Sequence, residues 1–232
     1  MGLKKLNRWI KNKVYGYDLP KPVKIKPWKI NPEDKICVLA PHPDDETIAC
    51  GGLLAKFGAQ CDVVLLTDGQ NGGAKEWSKD KTAQVRQQEF EQAMRFLKVN
   101  SFTCLHGKDQ SLIDDYAKFA AYDFSRYDYV LMPHPQDNHI DHMTVSAFWR
   151  RLQKQKKVKA RAVYYELWAP MSLPNAYIDI SDVVENKRQA IAFYKSQLTN
   201  IDYTSRILGL NHYRGIAHKA EYEEDYALEG TI

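Results

Sequence analysis

Long apolar runs are missing from this chain of 232 residues: the longest, such as Val63-Val64-Leu65-Leu66, are strand-sized, which excludes a bilayer-spanning helix. Cysteine is scarce. The four present (Cys37, Cys50, Cys61, Cys104) sit in or beside apolar segments without short paired spacing, so they are expected as reduced core thiols rather than a disulfide framework. No Ala-x-Ala-like cleavage site and no long apolar core precede the first strand, so the expectation is a cytoplasmic protein without a cleaved signal peptide. A large charge excess is absent too: 33 basic against 29 acidic residues leave +4, a nearly balanced surface with no field for nucleic acid. Repeats and low-complexity tracts are not found. What is there is a 44% hydrophobic chain long enough for one sizeable core.

The first 34 residues stand apart from the rest. Leu6, Trp9, Ile10 and Val14 recur near helical spacing, while Lys4, Lys5, Arg8, Lys11 and Lys13 supply positive charge. Such a helix either packs its apolar stripe on the domain, the favoured expectation, or makes a peripheral contact with the inner face of a membrane. Pro20, Pro22, Pro27 and Pro32 then predict an extended arm, giving a boundary of 1–34 for helix and arm and 35–232 for the domain.

From Lys35 the chain alternates strand and helix. Strands are predicted at Ile36 to Ala40, Asp62 to Thr67, Phe102 to Leu105, Asp128 to Met132 and Ala162 to Leu167. Helices are predicted from Thr47 toward Phe57, Lys81 to Lys98, Thr144 to Gln153 and Val183 to Tyr194. The long helix carries Val85, Phe90, Ala93, Met94 and Leu97 as its inward stripe, and Gly51 and Gly52 let the first helix approach the sheet closely. This order predicts an α/β fold, a Rossmann-like three-layer sandwich with a mostly parallel sheet. The turn-rich segment Asp68 to Gly73 belongs at the carboxyl edge of the strands, where ligand sites of open α/β sheets lie.

Two polar segments follow strand ends at that edge: Pro41-His42-Pro43-Asp44-Asp45-Glu46 and Asp137-Asn138-His139-Ile140-Asp141-His142. Two histidines and one carboxylate facing an open position make a catalytic zinc site, so His42, Asp45 and His142 are expected as metal ligands. Fe(II) is compatible with the same donors. Asp44 is then the expected base. His139 is a poor fourth ligand because it would fill the open corner; the expectation is that Asp141 binds its imidazole, raises its pKa and leaves it a protonated donor. His134 is either a supporting residue or a loop histidine bonded to backbone, and His106, His212 and His218 are expected in surface or packing roles.

These segments resemble the PIG-L or LmbE-like N-acetylglucosamine deacetylases, zinc hydrolases of amino sugars. Further likeness lies in Thr67-Asp68-Gly69, in Arg86-Gln87-Gln88-Glu89 with Ala93 and Leu97, in Lys187 to Gln197, and in Ala220-Glu221-Tyr222. The resemblance implies the same roles for His42, Asp44, Asp45, His139, Asp141 and His142. It also suggests that Arg86 reaches the pocket as a substrate-binding residue; the alternative is a helix-surface arginine paired with Glu89. The implied substrate is an N-acetylated amino sugar, with a cell-envelope polysaccharide or glycolipid pathway as its setting. Two other readings stay open: a metal-dependent phosphoesterase and a non-catalytic glycan-binding protein. The oligomeric state is left undetermined.

Overall fold

Every residue of Ile36–Ala40 and of Cys61–Thr67 is buried, as in parallel strands covered by helices on both faces. The computed structural model describes residues 3–15, 24–199 and 201–230. One sheet holds β1 (Lys26–Pro27), β2 (Ile36–Ala40), β3 (Cys61–Thr67), β4 (Ser101–Gly107), β5 (Tyr129–Pro133), β6 (Arg161–Tyr165), β7 (Ala176–Asp179) and β8 (Glu223–Leu228), in the order β1-β7-β8-β6-β5-β2-β3-β4. All pairings are parallel except those of β8, which runs antiparallel to β6 and β7. The helices are α1 (Leu3–Tyr15), α2 (Asp45–Phe57), α3 (Lys79–Phe96), α4 (Tyr116–Ala121), α5 (Ile140–Lys154), α6 (Val184–Ile191), α7 (Lys195–Leu198) and α8 (Tyr203–Gly215).

The period of two along each strand divides the core. Ile36, Val38, Ala40, Val63 and Leu65 face one layer, with residues of α2, α3, α6 and α8; Cys37, Leu39, Val64, Leu66, Val130 and Met132 face the other, with α4 and α5. On α5 the buried positions Val145, Phe148, Trp149 and Leu152 follow i, i+3, i+4, i+7, the stripe an amphipathic helix lays on a sheet. Removing the wholly buried Trp149 ring would cost about 3–5 kcal/mol. On α2 a Cβ at Gly52 would lie 2.4 Å from Ile180 Cγ2, just past β7, and 3.0 Å from Glu224 Oε1 of β8, whereas one at Gly51 would meet Lys187 Cγ of α6 at 2.8 Å, so only Gly52 serves the approach to the sheet.

The chain leaves β2, forms β3 and β4 on one side, and returns to form β5 on the other side of β2. The crevice between the carboxyl ends of β2 and β5 is therefore the topological switch point, and both polar segments of the sequence emerge there.

Three features differ from expectation. The domain begins before residue 35: β1 pairs with β7, and Trp28 is buried with its ring edge-on to Tyr129 and Tyr226 at 5.2 and 5.3 Å. Helix α1 forms, but three residues of its stripe are exposed rather than packed on the domain: Leu6, Trp9 and Ile10, at 38%, 55% and 41%. Pro20 and Pro22, predicted to extend the arm, lie outside the described residues. Strands β7 and β8 and helix α8 were not expected. Strand β8 opens Glu223-Glu224-Asp225, acids whose burial is made tolerable by partners: His218 Nδ1 at 2.9 Å from Glu223, Lys187 Nζ at 2.7 Å from Glu224, and Arg214 Nε at 3.5 Å from Asp225. Among the described residues no helix is long and apolar enough to cross a membrane.

Candidate metal centre

Strand β2 is followed by Pro41, whose carbonyl accepts hydrogen bonds from Thr67 N (3.1 Å) and Thr67 Oγ1 (2.9 Å), tying the first loop to the end of β3. The next residues turn sharply into α2. Asp44 occupies the N-cap position with φ of 135°, a left-handed conformation costly for a residue with a Cβ, and its carbonyl accepts from Ile48 N at 2.9 Å. Strained backbone of this kind clusters at functional sites. Asp45 then begins the helix with its carboxylate turned back on the loop, where Oδ2 accepts from His42 N at 2.8 Å.

That single oxygen, Asp45 Oδ2, lies 3.2 Å from His42 Nδ1 and 3.2 Å from His142 Nε2. Donors sharing a tetrahedral zinc through bonds of roughly 2.0–2.2 Å stand about 3.3–3.5 Å apart, so both separations are close to what a shared ion requires. The remaining nitrogen of each histidine meets a buried carboxylate: His142 Nδ1 is 3.0 Å from Asp137 Oδ1, and His42 Nε2 is 3.0 Å from Asp141 Oδ2 and 3.3 Å from Asp109 Oδ1. Carboxylates in these positions fix tautomer and ring orientation. His142 Nε2 is buried and makes no hydrogen bond of good geometry, its polar neighbour being Asp45 Oδ2 at 3.2 Å. The donor sets whose ligand atoms all lie within 4.8 Å of one another are His42 with His139 and His142, and His42 with Asp109 and Asp141. The nitrogen and oxygen donors present thus fit a divalent ion of the zinc or iron type.

The electrostatics follow from burial. Desolvation alone would lower the pKa of both histidines. For His42, bonds to Asp109, Asp141 and Asp45 outweigh it and hold the pKa well above its ordinary value. For His142, the Asp45 charge and the Asp137 bond push it up to about 9. The same histidines hold the Asp45 carboxyl well below the usual range against its own burial. Asp44 goes the other way: burial raises it to about 7, partly offset by Arg86.

The expected residues converge, with one correction. His139 does not pair with the Asp141 carboxylate. That carboxylate accepts from Gln110 N (2.8 Å) and Leu112 N (3.2 Å) and faces His42, whereas His139 Nδ1 accepts from the Asp141 backbone N at 3.2 Å as the cap of α5. The reason is helix geometry: Asp141 lies in the first turn of α5, where its amide points back at the cap. Nor is the His139 pKa raised; burial and the neighbouring His42 and His142 lower it. Its ring still belongs to the site, with centroids 4.8 Å from His42 and 4.7 Å from His142.

Arg86 is buried in the site rather than lying on the helix surface. Its Nη2 donates to Pro43 O (2.8 Å) and lies 3.3 Å from Asp44 Oδ1, and its Nη1 donates to Gly69 O (3.0 Å). Glu89 turns instead to Ser196 N and Oγ, at 2.8 and 2.6 Å. A Cβ at Gly69 or Gly72 would fall within 2.6 or 2.3 Å of the Arg86 guanidinium, so those glycines make its place. The predicted inward stripe of α3 is thus polar at its start, with Thr82, Arg86 and Glu89 buried and Val85 only half-buried.

A cavity of about 150 Å³ opens over these groups, lined by His42, Asp44, Arg86, His139, Trp168 and Tyr203 among others. Asp109, which follows β4 and receives Asn71 N at 2.7 Å, was not anticipated; its signal was its position at the carboxyl end of a parallel strand. Trp168 is among the aromatics that the sequence offers for stacking on a sugar face, whereas Tyr203 offered no motif at all. Asp137 was quoted within its segment without a role, yet Oδ1 holds His142 and Oδ2 accepts from Trp168 N at 3.0 Å. Glu46 is structural, bonded to Thr47 Oγ1 (2.6 Å) and Tyr194 OH. His134 is the backbone-bonded loop histidine, with Nε2 2.6 Å from Ala169 O.

A mostly parallel sheet with clustered histidines and carboxylates at its switch point defines an α/β protein built around a candidate metal centre. Residues 37–152 match the PIG-L family, described as GlcNAc-PI de-N-acetylase, and the chain belongs to that family. Among solved structures the fold is similar to that of N,N'-diacetylchitobiose deacetylase from Pyrococcus horikoshii, with a TM-score of 0.75 and 21% identity over 98% of this chain and 93% of that one. It is similar also to 4-carboxy-2-hydroxymuconate hydratase from Pseudomonas putida (TM-score 0.65, 18% identity, 86% of this chain and 97% of that one). A third is the zinc-inhibited form of teicoplanin deacetylase (TM-score 0.61, 15% identity, 85% of this chain and 100% of that one). One fold therefore carries deacetylases and a hydratase, and the site must decide between them.

Proposed function

We propose that this protein is a zinc-dependent hydrolase that removes the N-acetyl group from an N-acetylated amino sugar. The observation that carries the reading is the convergence of His42 Nδ1 and His142 Nε2 on one buried oxygen of Asp45, each at 3.2 Å, beside the strained Asp44. Membership of a family described as a de-N-acetylase supports the same reaction class.

His42, Asp45 and His142 would hold the ion, zinc by donor type with Fe(II) as the other candidate. Bound there, it would supply Lewis acidity, polarising the acyl carbonyl and making water easier to deprotonate. Asp44 takes the proton: with its pKa raised to about 7 it both accepts and returns one near neutrality. Arg86 keeps the Asp44 carboxylate in place and lines the same cavity, where an acyl oxygen or sugar hydroxyl would meet its guanidinium. The proton that Asp44 takes from water passes to the departing amine, while His139, neutral at the cavity wall with Nδ1 accepting from Asp141 N, offers its Nε2 hydrogen to the oxyanion, and Asp141 acts through His42 rather than through His139.

The setting is cytoplasmic, with the exposed Leu6, Trp9 and Ile10 of α1 and its lysines favouring peripheral contact with an anionic membrane face. Cosedimentation with anionic but not neutral vesicles, lost on deleting residues 1–16, is the expected result; binding that survives the deletion removes this element of the reading.

The central test measures acetate and free amine released from a panel of N-acetylated amino sugars by metal-quantified protein, with and without chelator. Chelator-sensitive amine release that disappears in Asp44→Asn is expected. Amine release unaffected by chelator, or turnover retained in Asp44→Asn, overturns the mechanism. Silence across the panel with metal bound turns the reading toward the phosphoesterase, hydratase or binding-protein alternatives.

A further inference from the structure

The cavity over the metal centre does not stand alone. Trp168 and Tyr203, which line it, also line a neighbouring cavity of about 370 Å³ whose other walls are Ile48, Leu167, Ile201, Ile207 and Leu210, with Arg206 at the exposed rim. A third cavity, of about 510 Å³, is walled by the 72–77 loop, including Lys75, Glu76 and Trp77, with Ser196, Gln197, Thr199 and Ile201, and is the more polar of the two neighbours. Tyr203 borders all three, and Gly72 and Gln197 border both the metal cavity and the polar one. The centre thus has two side chambers, one apolar and one mixed with several polar groups, meeting at Ile201 and Tyr203.

The aromatic partition between the centre and the apolar chamber is built, not incidental. The Trp168 ring stacks on His142 (centroids 6.4 Å, interplanar 21°) and contacts the Tyr203 ring at 5.3 Å. Its backbone N is fixed by Asp137, the carboxylate that holds His142. A group entering the apolar chamber therefore lies against the same indole that touches the metal-side histidine. Apolar surface continuous with a reaction site, and not filled by the protein's own side chains, calls for an apolar part of the ligand processed there.

We infer that the substrate carries an aliphatic or otherwise apolar substituent on the amino sugar, and that this substituent occupies the chamber lined by Ile48, Leu167, Trp168, Ile201, Ile207 and Leu210 while the sugar hydroxyls face the polar chamber. The inference rests on the hydrolase reading above and names the chemistry that reading leaves open. Two positions on the sugar supply such a group, the aglycone and the acyl chain, and the test separates them.

The aglycone arm compares methyl and hexyl β-glycosides of N-acetylglucosamine. The acyl arm compares N-acetyl and N-hexanoyl forms of the methyl glycoside. Each buried methylene contributes roughly threefold or more, so kcat/KM is expected to rise at least tenfold with chain length in one arm. That gain is expected to shrink below threefold in Leu210→Asn and in Ile201→Trp, substitutions at half-buried positions that make the chamber polar or fill it. Flat or falling values in both arms overturn the inference while leaving the deacetylase reading intact, as does a gain that survives both variants. If no member releases amine, the hydrolase reading fails by itself, and calorimetry of the same compounds on metal-loaded protein judges the chamber. A hexyl or hexanoyl compound binding at least tenfold tighter than its short partner, with the difference lost in the variants, supports it. Equal affinities, or no binding of any member, overturn it.

Discussion

Arg86 reaches from the middle of α3 to within 3.3 Å of the Asp44 carboxylate while its guanidinium also holds the carbonyls of Pro43 and Gly69. One side chain thereby positions the proposed base and joins the loops that follow β2 and β3. Arg86→Met is expected to lower kcat about 10²-fold, the scale for losing one preorganised cation or donor, with metal content unchanged. Steady-state kinetics alongside metal analysis tests this; wild-type kcat would assign Arg86 to folding alone.

Asp44 itself pays a conformational cost, with φ of 135° in a residue that has a Cβ. Strain of this type is worth about 1–3 kcal/mol, and the buried carboxylate, its pKa raised to about 7, adds to it. Asp44→Gly is expected to abolish turnover and raise the melting temperature by about 2–6 °C. A calorimetric scan showing a lower melting temperature would mean that the Arg86 pairing outweighs the strain.

Asp137 presents one carboxylate oxygen to His142 and the other to the Trp168 amide. Asp137→Asn is expected to weaken zinc binding about 10–100-fold, as loss of such partners commonly does. Competition against a chromophoric chelator measures it. Unchanged affinity would imply that His142 is oriented by packing and not by this bond.

Both motif segments and the parallel core were legible in the sequence, because chemistry-bearing residues stand at the ends of apolar runs that could only be buried strands. The predicted bounds of the strands following Lys35 and Gln60 fall within a residue of β2 and β3. What escaped was whatever depends on pairing across the fold. Glu223-Glu224-Asp225 reads as surface until His218, Lys187 and Arg214 are seen beside it. The same holds for Asp141, whose sequence neighbour is His139 but whose spatial partner is His42, ninety-nine positions away. Local spacing placed the residues at the site without deciding who bonds whom.

Those β8 acids carry a pH signature. Glu223 is pushed up to about 7, by burial first, and Asp225 to about 8, by burial and by Glu223, against the pull of Arg214 and His218. Near neutrality the folded state keeps a proton that the unfolded chain, with carboxyl pKa values of about 4, has released. The contribution of these two acids therefore falls as pH rises from about 4 through about 8, and Asp44, raised to about 7, adds to the fall. Melting of the metal-free protein should drop by several degrees between pH 5.5 and 8.5, and Asp225→Asn should remove much of that slope. A slope identical in the variant would place its source in other groups.

Lys187, wholly buried, donates to Glu224 Oε1 at 2.7 Å and to Asn211 Oδ1 at 2.9 Å, while Glu224 accepts from Gly52 N and Leu53 N at 2.7 and 2.9 Å. The pair ties α2, α6, α8 and β8 together. Lys187→Ala strands a carboxylate and should cost about 3–5 kcal/mol in chemical denaturation, with part recovered on adding Glu224→Gln. Loss under about 1 kcal/mol would show that water takes the place of the ammonium.

The groups that surround the candidate ion all come from residues 42–142, whereas the walls of the apolar chamber, apart from Ile48, come from residues 167–210. The family match ends at residue 152, between the two. The candidate ion's surroundings and the chamber walls therefore come from separate stretches of chain that can be altered one without the other. Grafting α8 and its preceding loop between relatives is the corresponding route to changing what is accepted without disturbing what is done to it.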